Sequence, residues 1–199
     1  MGKLKLTRVE LKRQKDDLAR FARYLPTLML KKQQLQIEIR RVEAALRWRS
    51  EAGRRMLERL RTWASVMASD GRMEGLLRLV EKRISAGNIA GVDIPVFEGV
   101  EFATEEYDLY DTPLWIDEAL SSLEAYAGIL VEQDVLRKQR DALAEELRIT
   151  TQRVNLFEKV KIPHAQENIR IIRIFLGDQQ TAAVVRGKIS KAKLTEAVR

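Results

Sequence analysis

Apolar residues recur at alternating steps of three and four along the first third of the chain. This seam covers residues 11–67 and is interrupted by Gln14, Lys32, Arg49 and Gly53. A narrow stripe with a 3.5-residue period over about eight heptads is typical of a coiled coil. The pattern therefore predicts a helical arm about 85 Å long at 1.5 Å per residue. Polar seam residues can fix the register of such an arm, whereas a glycine indicates local thinning or a bend.

A second arm follows the same rule less regularly towards the C-terminus. Its seam is Leu136, Arg140, Leu143, Leu147, Thr150, Val154, Phe157 and Lys161, and apolar spacing resumes at Ile169, Ile172 and Leu176. Because each arm needs a partner for its seam, the two arms together predict an antiparallel coiled coil. A parallel homodimer through the first arm is the alternative that the pattern leaves open.

The segment between the arms loses the helical period. Gly87, Gly91, Pro95 and Gly99 stand among β-branched and aromatic residues, which is typical of turns and short strands. We expect one or two short strands, over residues 89–94 and 96–102, that can form a hairpin. A helix should then restart, capped by Asp111 or Thr112 and with Pro113 in its first turn.

The predicted fold is mainly α, a long antiparallel coiled-coil hairpin of N- and C-terminal helices with a small α+β insert that contains a short β-hairpin. Its predicted parts are an N-terminal arm (1–67), an acidic insert (68–128) and a C-terminal arm (129–199). Pro26, inside the first arm, predicts a kink.

Charge is distributed unevenly along the chain. Residues 1–63 hold 18 Lys or Arg against 7 Asp or Glu, residues 64–135 hold 4 against 15, and residues 136–199 hold 14 against 7. Basic arms can face solvent, an acidic protein socket or nucleic acid. Because the arginines of the first arm surround the seam and are not aligned on one face, nucleic acid is not an expected partner.

The residues that most enzymes need are scarce. There is no cysteine and one histidine, His164, so no zinc site or Cys/His nucleophile is expected, and no phosphate-binding glycine loop occurs. We therefore expect no cofactor. The carboxylates Glu105, Glu106, Asp108 and Asp111 are interpreted as a solvated or partner-facing patch. No apolar window approaches the roughly 18 residues of a membrane span, and the absence of cysteine makes the cytosol the default location.

Three motifs, in order along the chain, carry a family resemblance. The first arm has Thr7, Glu10 and Leu11, followed by Lys31, Lys32 and Leu35, and the insert has NIAGVDIP at residues 88–95. The third motif, in the second arm, is Arg153, Val154, Asn155, Glu158, Ile162, Pro163, Glu167, Ile169 and Ile172. With these motifs the chain resembles the D subunit of the V-type and A-type rotary ATPases over nearly its whole length. It departs from the family pattern at residues 24–29.

The resemblance implies a non-catalytic central-stalk rotor that transmits torque between ATP hydrolysis or synthesis and H⁺ or Na⁺ translocation. Implied partners are the A and B subunits of the catalytic ring, a small F subunit, and a socket subunit joined to the membrane rotor. The chain would then lie in the cytoplasm, peripheral to the membrane. The alternative function is a stand-alone coiled-coil scaffold or a nucleic-acid-associated protein.

Residue roles follow from the same resemblance. Arg40 and Arg41 would form a basic bearing surface towards the ring, and the shaft would be packed by Leu35, Ile39, Val42, Leu46, Leu147, Val154 and Phe157. Pro163 lacks an amide donor and costs roughly 3 kcal/mol inside a helix. Our hypothesis is that Pro163 sets curvature or a local bulge, with Asn155 supplying a side-chain hydrogen bond nearby.

Overall fold

A computed structural model describes residues 4–69, 75–105, 107–108, 113 and 115–197 of the chain, with side chains for these residues outside 62–69 and 195–197. The predicted caps Asp111 and Thr112 lie outside this part, as do Glu106 and the seam side chains of Trp63 and Met67. In chain order the elements are α1 (Arg8–Ser69), β1 (Leu77–Ile89), β2 (Val92–Thr104), α2 (Ile116–Leu156), a π-helical turn (Phe157–Lys161) and α3 (Ile162–Ala197).

The predicted fold class is confirmed: long N- and C-terminal helices flank a small two-stranded antiparallel hairpin. The chain separates into two compact units, residues 1–31 with 150–199 (unit 1) and residues 32–149 (unit 2). The division at residues 67 and 128 stays a prediction, and α2 is continuous across the second of these positions. None of the described helices contains an apolar stretch long enough to cross a membrane.

The start of α1 is capped by the side chain of Thr7. Thr7 and Glu10 stand three positions apart, and the Glu10 N–H donates to Thr7 Oγ1 at 3.2 Å. The backbone carbonyl of Thr7 accepts from the Leu11 N–H at 3.0 Å. The Thr7 side chain therefore satisfies one of the amides that a helix start leaves without partners, and its carbonyl accepts the first bond of the regular helical ladder. From there α1 remains helical to Ser69, with Pro26 inside it.

The hairpin is longer than the sequence pattern predicts. Both strands have 13 residues, and the first begins at Leu77. The predicted strand over residues 89–94 is wrong, because Ile89 pairs with Val92 and the two residues between them form the turn. Pairing between the strands starts at Leu77, thirteen residues before that turn, and the predicted bounds miss this stretch.

The turn has the geometry that matches the right-handed twist of paired strands. Ala90 and Gly91 both have positive φ, 53° and 76°. Two-residue hairpins favour this conformation, although alanine adopts it at a cost. Asn88 offsets that cost, because its Oδ1 accepts the Gly91 N–H at 3.1 Å and its Nδ2 donates to Asp93 Oδ1 at 2.7 Å.

The core of unit 2 joins α1, α2 and the tip of the hairpin. Leu35 and Val42 of α1, Ile94 of β2 and Leu143 of α2 are buried together, and Leu35 and Leu143 are fully inaccessible. Partly buried apolar residues surround them: Ile39, Ile89, Ala90, Val92, Leu136, Ala142 and Leu147. The insert is therefore packed against the helices of its unit through its turn.

Strand β2 runs along α2 in the opposite direction. The carbonyl of Pro95 accepts from Gln139 Nε2, and Val100 approaches Gly128 closely enough that a Cβ there would lie 3.6 Å from its Cγ1. Eleven helical residues and five strand residues both span about 16 Å, so the two contacts are in step. The contact with α2 uses the carbonyl of Pro95 and needs no amide, so the N–H that proline lacks is not required there.

Unit 1 pairs the start of α1 with the end of α2 and with α3. The rings of Phe21 and Phe157 lie 5.3 Å apart, and Asn168 Nδ2 donates to Gln14 Oε1 at 3.2 Å. The lower-numbered residue of α1 meets the higher-numbered partner, so the pairing in this unit is antiparallel. The buried side of the C-terminal helices here consists of Thr150, Val154, Ala165, Asn168, Ile169 and Ile172.

Candidate functional site

The predicted shaft-packing residues lie on the paired faces of the helices. Leu35, Val42 and Val154 are buried, and Phe157 is half-buried against Phe21. The remaining predicted packing residues are half-buried, and they are Ile39, Leu46 and Leu147. The positions agree with the seam that the sequence indicates, and the contribution of these residues to the stiffness of a shaft stays a prediction.

Three of the four interruptions of the first seam, Gln14, Arg49 and Gly53, are occupied by contacts between helices. In unit 2, Arg49 Nε donates to Glu132 Oε1 at 2.7 Å, and Gln133 Nε2 donates to the Arg49 carbonyl at 3.1 Å. Gly53 is buried beside the same helix, where a Cβ would lie 3.1 Å from Gln133 Nε2 and 3.3 Å from Ile129 Cγ2. These contacts can form in one register only, which is the property of polar seam residues in coiled coils.

In unit 1 a chain of side-chain hydrogen bonds performs the same role. Gln14 Nε2 donates to Glu10 Oε1 at 2.8 Å, and Gln14 Oε1 accepts from the buried Asn168. His164 Nδ1 lies 3.1 Å from the same Asn168 amide nitrogen. The only histidine of the chain thus belongs to a polar connection between α3 and α1. The apolar pattern does not predict this connection, and the signal for it is Gln14 on the apolar seam.

The π-helical turn at Phe157–Lys161 shifts the buried face by one residue. Continued steps of four and three from Phe157 reach Lys161, His164, Asn168 and Ile171, and of these four only Asn168 is buried. The residues one position later are half-buried or buried, and they are Ile162, Ala165, Ile169 and Ile172. The prediction that Lys161 lies on the seam is therefore wrong. A π-turn accommodates one extra residue, and here it restores the phase of the apolar face.

Pro163 directly follows this turn. The Ile162 N–H bonds to the Phe157 carbonyl five residues back, so the regular ladder is already interrupted where the proline offers no donor. The local bulge of our hypothesis is therefore present. Asn155 is exposed and makes no side-chain hydrogen bond within the described part of the chain, so that part of the hypothesis is wrong.

The other residues of the third motif lie mainly outside the packed face. Arg153, Glu158 and Pro163 are exposed, whereas Ile162 is half-buried. The motif therefore combines a packing segment with a solvent-facing one around the π-helical turn.

The predicted basic bearing residues are exposed on α1. Arg41 Nη1 lies 2.7 Å from Glu38 Oε1, one turn earlier, and Arg40 has no ion pair among the described residues. Surface pairs of this kind contribute little to stability. Both guanidinium groups therefore remain accessible to a partner.

Ion pairs along α2 and α3 change the titration of exposed carboxylates. The hydrogen bond from Arg148 holds the pKa of Glu145 below its usual value, and Arg170 does the same to the pKa of Glu167. Among the residues with described side chains, no group of three or more His, Asp or Glu residues is arranged to hold a metal ion.

Comparison with known proteins decides the family. The model of the family described as the ATP synthase D subunit matches residues 10–192. The chain belongs to the ATP synthase D-subunit family. It is 47% identical over 194 residues to the D subunit of the V-type ATP synthase of Borreliella burgdorferi, covering 98% of this chain and 96% of the relative.

More distant relatives have the same description. The V-type ATP synthase D subunit of Chlamydia muridarum is 33% identical over 203 residues, covering 98% of both chains, and that of Chlamydia trachomatis serovar L2 is 32% identical with the same coverage. The resemblance that the three motifs indicate is confirmed. Membership makes this chain a subunit of a rotary ATPase, as the sequence analysis predicts.

Proposed function

We propose that the chain is the non-catalytic rotor shaft of a V-type rotary ATP synthase. It transmits torque between ATP hydrolysis or synthesis in a ring of catalytic and regulatory subunits, A and B, and translocation of H⁺ or Na⁺ by the membrane rotor. Its further partners are a small F subunit and a socket subunit beneath it. The chain lies on the cytoplasmic side, peripheral to the membrane.

The observation that carries this proposal is the set of polar contacts between paired helices. Torque is transmitted only if two helices do not slide along each other when one is pushed. Arg49 with Glu132 holds the pairing in unit 2, and Gln14 with Asn168 holds it in unit 1. Apolar packing alone is less specific about register, and a single polar seam contact can specify it. Family membership supports the same role.

Rotation of the chain relative to the ring is the direct test. The chain contains no cysteine, so Glu98→Cys, at an exposed position of β2, gives one attachment point for a bead. With the ring fixed to a surface, ATP should drive rotation of the bead in one direction. A bead attached to one of the ring subunits is the control and should not rotate. A stationary bead during continued ATP hydrolysis would contradict the rotor role and favour a static scaffold.

A further inference from the structure

The face of α1 turned away from the core of unit 2 carries an exposed apolar stripe. Ile37 is 49% exposed and Trp48 is 57% exposed, and Ala44 between them is also exposed. At 100° per residue these positions fall within about 40° of one another and extend about 16 Å along the helix. We call these three residues the outer stripe. Scattered exposed apolar residues are ordinary, but an aligned set that includes tryptophan indicates a binding surface.

The tryptophan of the outer stripe is held in place by its neighbours. The Arg49 guanidinium lies over the Trp48 ring, 4.5 Å from its centroid. Arg49 is itself fixed by its bond to Glu132 on α2. An exposed aromatic ring that is restrained before binding loses little conformational entropy when a partner covers it. Tryptophan and arginine are also the residue types that contribute most to protein–protein affinity.

The charges beside the outer stripe define the chemistry of its partner. Arg40 and Arg47 flank it on one side and Arg41 on the other, and all three are exposed. Glu38 is the one carboxylate paired with these arginines among the described residues, and the exposed Glu51 lies three residues beyond Trp48, at one end of the stripe. A partner that covers the stripe therefore gains from carboxylates placed along both of its edges.

We propose that the outer stripe docks an amphipathic helix from another subunit of the same complex, with apolar residues at steps of three and four and with Asp or Glu along its edges. The proposal rests on the rotor function for the choice of partner. A helix packed along α1 matches the length and width of the stripe. Its apolar residues would pack against the stripe as the anchor residues of amphipathic helices do on other helix-binding surfaces.

The partner turns with the shaft and is not the ring. A bearing contact must break and re-form at every step, which requires weak interactions. A restrained tryptophan packed into a partner instead dissociates slowly, because interface residues of this kind act mainly on the dissociation rate. Arg40 and Arg41 therefore belong to the docking surface and not to the bearing.

Photo-cross-linking in the intact complex tests the proposal. A benzoylphenylalanine in place of Trp48 is activated by light in the purified ATPase, and the cross-linked peptide is identified by mass spectrometry. We expect a peptide from another subunit with the amphipathic, carboxylate-edged pattern, and unchanged ATP hydrolysis after cross-linking because that subunit rotates with the shaft. A cross-link to the ring that stops hydrolysis, or no cross-link to protein, would overturn the proposal. The same group in place of Tyr24, an exposed residue of unit 1, should not capture this peptide.

Affinity measurements complete the test. With the purified subunit that supplies the cross-linked peptide, Trp48→Ala should weaken binding at least tenfold, the lower range for a tryptophan hot spot. The double charge reversal of Arg40 and Arg41 to Glu should slow association and reduce its dependence on salt. Unchanged affinity in both variants, with loss of ring-stimulated ATPase in the charge reversal, would restore the bearing assignment. Bead rotation is scored separately, so failure of docking and failure of the rotor function are distinguishable.

Discussion

The π-helical turn should be maintained mainly because it keeps the apolar face of α3 buried, and less because of Pro163. If the turn became regular α-helix without loss of a residue, the helix beyond it would rotate by about 100°. Ile169 and Ile172 would then leave their buried positions. Burial of an isoleucine contributes about 1.5–3 kcal/mol, so the rotation costs about 3–6 kcal/mol. The irregular turn forfeits about one net hydrogen bond, near 1 kcal/mol. The turn therefore persists.

The substitution Pro163→Ala should keep the turn and raise the free energy of unfolding by about 1 kcal/mol. The full 3 kcal/mol of a proline inside a regular helix is not recovered, because the π-turn already relieves the clash. Deletion of Val160, an exposed residue within the turn, in the Pro163→Ala background should give a continuous α-helix. Phe157 and Ile162 would then be four positions apart, and the apolar face would stay in phase.

Urea unfolding followed by circular dichroism, together with crystal structures of both variants, measures these outcomes. Deletion of Ala144, an exposed residue of α2, is the matched control. This deletion rotates Val154 out of its buried position by about 100°, with no adjoining bulge to absorb the change, and the free energy of unfolding should fall by at least about 2 kcal/mol. The reasoning is refuted if Pro163→Ala shows regular α-helix through residues 157–167, or if the Val160 deletion destabilises as much as the control.

Three further perturbations test the core, the polar connection and the ion pairs. Leu143→Ala should lower the free energy of unfolding in urea by about 2–5 kcal/mol, because the side chain is fully buried and leaves a cavity; a loss below 1 kcal/mol, on that order for a surface site, would contradict the core described for unit 2. Asn168→Ala should lower the free energy of unfolding by about 1–3 kcal/mol, since it leaves Gln14 without its donor. If Asn168→Ala caused the same loss in a Gln14→Ala background as in the wild type, the two side chains would not be coupled. The pKa values of Glu145 and Glu167 are lowered in the folded state, so the stability that these carboxylates contribute is present above the unfolded pKa and is lost as pH falls through the folded pKa. The double variant Glu145→Gln with Glu167→Gln should therefore lose less stability on acidification than the wild type. An unchanged pH profile would argue against these pairs.

The apolar period by itself determined the two helical arms, and it left open whether they pair with each other or with a second copy of the chain. Leu35, Val42, Leu143 and Val154 are buried as the steps of three and four predict, because a narrow stripe on a long helix can be covered only by a second helix. The family followed from three short motifs in order. The late resumption of apolar spacing at Ile169 was also visible, although the sequence analysis did not connect it with an extra residue near Pro163.

Tertiary structure decided the features that depend on contacts distant in sequence. The hairpin extends to Leu77 because cross-strand pairing, and not local propensity, sets the length of a strand. Gly87 and Gly99 suggested turns, yet they are paired inside strands, and the turn is formed by Ala90 together with Gly91. The partners of Arg49 and Gln14 lie 83 and 154 residues away, and no local pattern could name them. Periodicity thus fixed which faces are buried, and three-dimensional packing fixed what each face meets.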